Sequence, residues 1–146
     1  MELNKKEKLL KNVSLLYAIT FIITTIIFIF FSEELFKSIN LISSFLFPEL
    51  PMATDSGKFW LSMTVSMMIG VSITSFLIFK DVKKYHSMAI PLIAMKLTSA
   101  SMGLAFFVAG VLLPETKWNT LANIIIPLCD APIGLFMLIL YSKTRD

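Results

Sequence analysis

A chain of 146 residues that is 56% hydrophobic and 16% charged cannot enclose one core inside a mostly polar shell, as a soluble domain of that length does. Its apolar residues are gathered into four runs, each long enough to cross roughly 30 Å of hydrocarbon as a helix. The net charge of +3 follows from where the thirteen basic residues fall along those runs and gives no reason to expect a nucleic-acid partner.

The runs predict spans over residues 13–31, 59–79, 88–113 and 120–141 in a single domain covering 1–146. Helices are expected because an open sheet edge leaves backbone groups unsatisfied in lipid, and a barrel strand needs only about ten residues. The expected fold is an all-α integral membrane protein, a four-transmembrane-helix bundle with an amphipathic interfacial helix after the first span.

Lys5, Lys6, Lys8 and Lys11 precede the first run, as basic residues precede a secretory signal. Its Ile-, Phe- and Thr-rich core is longer than a signal's apolar region, and Ser32-Glu33-Glu34 offers no small-residue cleavage pattern. A retained anchor is therefore expected. The first span is also expected to have a large lipid-facing share, since it shows no ladder of small residues.

Over 33–47, Leu35, Ile39, Ile42 and Leu46 recur at helical spacing, with Lys37, Asn40 and Ser44 on another face. This predicts an amphipathic helix lying in the outer membrane interface, stopped by Pro48 and Pro51.

The second span carries Ser62, Ser66, Gly70 and Thr74 four residues apart, and the third carries Ser99 with Gly103, and Ser101 with Ala105 and Ala109. Small residues on one stripe let helix backbones approach closely, so the second and third spans are expected to pack together. The methionines of the spans fall on several faces and read as fillers of irregular apolar gaps, not as a copper path.

Charge places the ends. Nine basic residues lie before the first span, at Lys80, Lys83 and Lys84, and at Lys143 and Arg145; three (Lys37, Lys58, Lys117) lie on the opposite side. The positive-inside rule then predicts both termini in the cytoplasm and an inner or plasma membrane location. Phe59, Trp60 and Trp118 mark the outer interface and Tyr85 and Tyr141 the inner one, in the same sense.

The thirteenth basic residue, Lys96, sits inside the third span, and Asp130 sits inside the fourth between Pro127 and Pro132. Charge within a membrane is costly, so these two residues are where specific chemistry is expected. Lys96 shares its helical face with Ser99, Ala100, Gly103 and Gly110, and Asp130 shares its face with Asn123, Pro127, Gly134 and Tyr141. Both faces read as bundle interior. Counting about 1.5 Å per residue from His86 and Tyr141 puts both charges about 15 Å from the inner surface, where they are expected to pair directly or through water. Such a pair either fixes helix register or forms a polar binding site; a lysine snorkelling alone to the headgroups is the third possibility.

Several chemistries lack their residues. Cys129 is the only cysteine, which excludes membrane thiol–disulfide exchange through a cysteine pair, and His86 is the only histidine, which excludes a bis-histidine haem and a histidine metal cluster. The five glycines are scattered and form no phosphate loop. Small multidrug exporters also have four helices, but they carry a carboxylate in the first span, and here no acid lies between Lys11 and Glu33. The function expected is therefore non-enzymatic: a small binding or accessory subunit in the lipid bilayer, working as a homo-oligomer or beside a larger membrane partner, with no cofactor or metal. The alternatives are a small solute or proton-coupled transporter lined by Lys96, Asp130 and Asn123, and a membrane enzyme acting on a lipid.

Overall fold

The computed structural model describes residues 3–53 and 58–144, the side chains of residues 58–61 excepted. Among the described residues there are five α-helices and no strand, and four of the helices are long and apolar enough to cross a membrane. Arg145 and the side chains of Lys58, Phe59 and Trp60, used above to orient the chain, lie outside the described residues.

The first helix, α1 (Lys5–Phe30), opens on a reciprocal cap: the Glu7 N–H donates to Asn4 Oδ1 at 2.9 Å, and the Asn4 N–H donates to Glu7 Oε2 at 2.7 Å. Phe31 breaks the helical path, and α2 (Ser32–Leu46) follows at once, within a residue of the predicted interfacial helix. It stops short of Pro48, since a proline disfavours helical backbone in the residue before it. Its inner face differs from the one expected. Ser43 is buried and Phe36, Ile39 and Asn40 are half-buried, while Leu41, Ile42, Phe45 and Leu46 point outward.

Three longer helices complete the chain: α3 (Lys58–Lys80), α4 (Ala89–Leu112), entered through a 3₁₀ turn at His86–Met88, and α5 (Leu121–Thr144). A second 3₁₀ turn, Pro114–Thr116, ends in Lys117 with a left-handed φ of 54°. Pro127 and Pro132 lie inside α5, which continues through both. Each removes one backbone donor, leaving the carbonyls of Asn123 and Leu128 without their usual helical partners.

The four long helices form two antiparallel pairs. Helix α1 packs along α3, α4 packs along α5, and the pairs join through two smaller junctions, α1 with α5 and α3 with α4 and the turn that leads into it. This corrects the expected pairing of the second and third spans. Helix α3 buries Val71, Ser72, Ser75 and Ile78, all on one side, and its small-residue stripe lies on the other. Helix α1 leaves Leu16, Ile19, Ile22, Ile23 and Ile26 exposed and yet carries one buried stripe, Leu10, Ser14, Ala18, Phe21 and Thr25, recurring every three or four residues.

The buried apolar core gathers at the end where α1 starts and α5 stops, around Leu10, Ile78, Val82, Leu92, Met137 and Leu140. The same end holds Lys5, Lys6, Lys8, Lys11, Lys80, Lys83, Lys84 and Lys143, with Lys83 near Glu7 at 3.9 Å and Lys11 5.2 Å from the Phe79 ring centre.

Candidate functional site

Two kinds of close contact set the α4–α5 seam. On α4, a Cβ added at Gly103 would stand 2.9 Å from Pro127 Cδ, and one at Gly110 would collide with the backbone of Asn119. On α5, a Cβ at Gly134 would stand 2.8 Å from Leu97 Cδ2 and 3.3 Å from Lys96 Cβ. Glycines at these points let the backbones approach as no other residue would. In the antiparallel register of this seam Lys96 is level with Gly134, and so four residues, about 6 Å along the axis, from Asp130.

Lysine spans that offset. Lys96 Nζ donates to Asp130 Oδ1 at 2.9 Å, with the two side chains only 6% and 14% exposed. A side chain on a helix leans toward the N-terminus, so a short residue at this position would point away from Asp130. The long lysine stem runs beside Gly134 and turns its ammonium back to the carboxylate.

The third member of the site comes from α1. Lys96 Nζ lies 3.9 Å from the centre of the Phe21 ring, so the negative face of the ring covers the ammonium on one side. Three helices therefore meet at one charge. Sequence reasoning passed over Phe21 because one more phenylalanine in an apolar run carries no signal of its own. Its place on the stripe of Leu10, Ser14, Ala18 and Thr25 could have revealed it.

The other candidate residues stand apart. Asn123 is seven residues from Asp130, about 10 Å along α5, and its Nδ2 donates to the Trp118 carbonyl at 2.6 Å. Ser99 is half-buried on α4 and makes no hydrogen bond among the described residues. On α3, Ser62 and Ser66 are exposed, a Cβ at Gly70 would meet nothing within 4 Å, and the Thr74 hydroxyl donates to the Gly70 carbonyl of its own helix. Of the five residues singled out for helix packing, Gly103 lies in the α4–α5 seam and Thr74 is half-buried, while Ser62 and Ser66 are exposed and Gly70 has open space above it.

A second polar cluster ties α4 to α5 near the lysine-rich end. His86 stacks on Tyr141 with ring centres 4.6 Å apart and planes at 21°, and its Nε2 is 2.7 Å from Thr144 Oγ1. The Thr144 hydroxyl also lies 2.8 Å from the Leu140 carbonyl. If it spends its one proton there, the imidazole Nε2–H is the donor to Thr144. Between α1 and α3, the hydroxyls of Ser14 and Ser75 are buried with no hydrogen-bond partner among the described residues. The Glu7–Lys83 and Lys11–Phe79 contacts set a register that puts these two serines at the same level.

The site as built is a neutralised, hydrogen-bonded ion pair roofed by an aromatic ring. It can hold three helices in one arrangement, and it offers one carboxylate and one amine as its only ionisable chemistry. No family model, curated protein or solved structure matches the chain.

Proposed function

We propose that this chain is a non-enzymatic accessory or binding subunit of the inner (plasma) membrane, inserted with its lysine-rich end and both termini in the cytoplasm. The observation that carries the reading is the free side of α3. Helix α1 covers one side of α3, and the opposite side presents Ser62, Ser66 and Gly70, with open space above Gly70. In a bilayer, such a weakly polar small-residue face is suited to a second helix, because lipid chains gain little from contact with it. The ion pair supports the same reading: Lys96 and Asp130 satisfy each other and Phe21 covers the ammonium, as a helix clamp requires.

Native mass spectrometry of the protein extracted in mild detergent tests it. A stoichiometric partner or homo-oligomer that is lost in Gly70→Leu, while the monomer melts as before, is the expected result. A bare monomer in wild type and variant alike, in gentle detergent and in nanodiscs, would refute it. Orientation is tested separately, by labelling Lys143→Cys and Lys37→Cys in a Cys129→Ser background with a membrane-impermeant maleimide. Only Lys37→Cys should react in intact cells.

One observation favours a transport reading as the alternative: two ionisable side chains lie side by side within candidate spans, on a helix whose backbone bonding is interrupted at Pro127 and Pro132. That reading requires Asp130→Asn to abolish solute or proton flux in proteoliposomes while the protein remains folded.

A further inference from the structure

At the end of the bundle opposite the lysine-rich one, an open groove of about 460 Å³ lies between two turns. One wall is the segment after α2, with Glu49, Leu50, Pro51 and Met52; the other is the α4–α5 connection, with Pro114, Lys117 and Asn119. Both walls are pinned. The Asn40 carboxamide clasps Ala53, its Nδ2 donating to the Ala53 carbonyl at 2.9 Å and its Oδ1 accepting from the Ala53 N–H at 2.8 Å. Opposite, the Trp118 carbonyl accepts from Asn123 Nδ2 and from the Thr120 N–H, and the Asn119 backbone rests against Gly110.

These pinned turns hold two opposite charges on one groove. Glu49 and Lys117 both line it, and among the described residues neither has an ion-pair partner. They therefore complement a molecule that carries a cation and an anion of its own. Among the described residues the lining contains no aromatic ring, the face by which a quaternary ammonium is recognised. A primary ammonium suits it better, having three N–H donors for the Glu49 carboxylate. The surroundings are apolar at the same level: α2 turns Leu41, Phe45 and Leu46 outward, and α4 ends in exposed Leu112 and Leu113.

We propose that this groove binds a phosphate–ammonium zwitterion of the phosphoethanolamine type, its phosphate against Lys117 and its ammonium against Glu49, presented by a membrane lipid. The assignment rests on the membrane insertion proposed above, which sets this end of the bundle in a head-group layer.

The test uses the full chain in nanodiscs of equal parts phosphatidylethanolamine, phosphatidylcholine and phosphatidylglycerol, with lipids retained on release identified by native mass spectrometry. Wild type should retain phosphatidylethanolamine over the other two. The preference should fall about tenfold in Glu49→Gln and in Lys117→Asn, as expected for loss of one charge-assisted contact. Asparagine is chosen because it tolerates the left-handed backbone at that turn. Equal retention of the three head groups by wild type overturns the proposal, and this arm depends on no variant. An unchanged preference in both variants overturns it too. Soluble phosphoethanolamine added to detergent-solubilised protein separates the sources. Binding that is lost in the variants supports the site with a free zwitterion as ligand; no binding, beside a retained lipid, supports the lipid. A chain that enters no nanodisc of any composition would overturn the membrane reading and this one with it, whereas entry without head-group preference overturns this one alone.

Discussion

Removing one member of the Lys96–Asp130 pair should hurt the protein more than removing both. At 2.9 Å and an effective dielectric near 20, the attraction within the pair is about 6 kcal/mol. Taking each ion out of water costs several kcal/mol, so the pair as a whole is close to neutral for stability. Asp130→Asn leaves an ammonium facing a neutral amide and the Phe21 ring, and Lys96→Met leaves a carboxylate with no cation. Breaking a buried pair in this way costs about 3–5 kcal/mol, which for a chain of this size lowers Tm by about 10–16 °C. Lys96→Met combined with Asp130→Leu removes both charges and fills the space with apolar atoms, and its Tm should return to within a few degrees of wild type. The assay is intrinsic-fluorescence melting of all four proteins in one detergent, analysed as a double-mutant cycle. Single variants that melt within a degree or two of wild type would show that the pair is not closed as described. A double variant that melts as low as the sum of the singles would refute the reasoning.

The glycines should rank by what their missing Cβ would meet. Substitution by alanine should cost most at Gly110, where backbone must move, less at Gly103 against Pro127, and less again at Gly134, where the flexible end of Leu97 can turn aside. At Gly70, with open space above it, alanine should leave the monomer unchanged or raise its stability by about 0.5–1 kcal/mol through helix propensity; a different order of melting temperatures would contradict the packing. Ser75→Ala should be neutral or stabilising, by up to about 1 kcal/mol, because it removes a buried hydroxyl with no partner among the described residues; a marked drop in Tm would reveal a bond not seen here. Asn40→Ala should release both backbone contacts to Ala53 and speed hydrogen exchange of the Ala53 amide at least about tenfold, while exchange within α4 and α5 stays unchanged.

The parts of the fold that follow from composition and length were legible in the sequence. Four long apolar helices and a short amphipathic one appear, most of their ends within a few residues of the limits at which polar residues and prolines interrupt hydrophobic runs. Helix α1 is the exception, starting at Lys5, eight residues ahead of its predicted span, because the Asn4–Glu7 cap carries the helix through the charged segment. The Lys96–Asp130 contact was legible for a related reason: two opposite charges in apolar surroundings have few places to go. Helix pairing was not legible. Small-residue stripes on α3 and α4 look alike in sequence, yet Gly103 meets Pro127 of α5 while Gly70 meets nothing. A stripe says that a helix can be approached and does not say by which neighbour. The α1 stripe was missed because Ser14, Ala18 and Thr25 are interleaved with Leu10 and Phe21, and a mixed ladder of small and large residues hides among isoleucines. Asn40 was grouped with Lys37 and Ser44 on the polar face of α2 because its polarity counted and its tertiary partner, the backbone of Ala53, cannot be seen in a local pattern.

Glycine contacts and the ion pair divide the work of building the α4–α5 seam. The glycines decide how near the helices come. They say less about register, because a slip of one turn, about 5.4 Å, would bring Gly103 opposite Asn123 or Ala131, and neither side chain forbids that approach. The same slip would pull Nζ away from Oδ1 and strand a cation and an anion apart in an apolar seam, each without a partner. The pair therefore adds little to the depth of the correct arrangement and much to the height of its neighbours. This explains how a costly lysine and aspartate can sit in a seam that apolar residues could fill equally well. It also sets what the double apolar variant should lack. Its melting temperature should return, while the cooperativity of its transition falls, since more than one register of α4 on α5 then lies within reach.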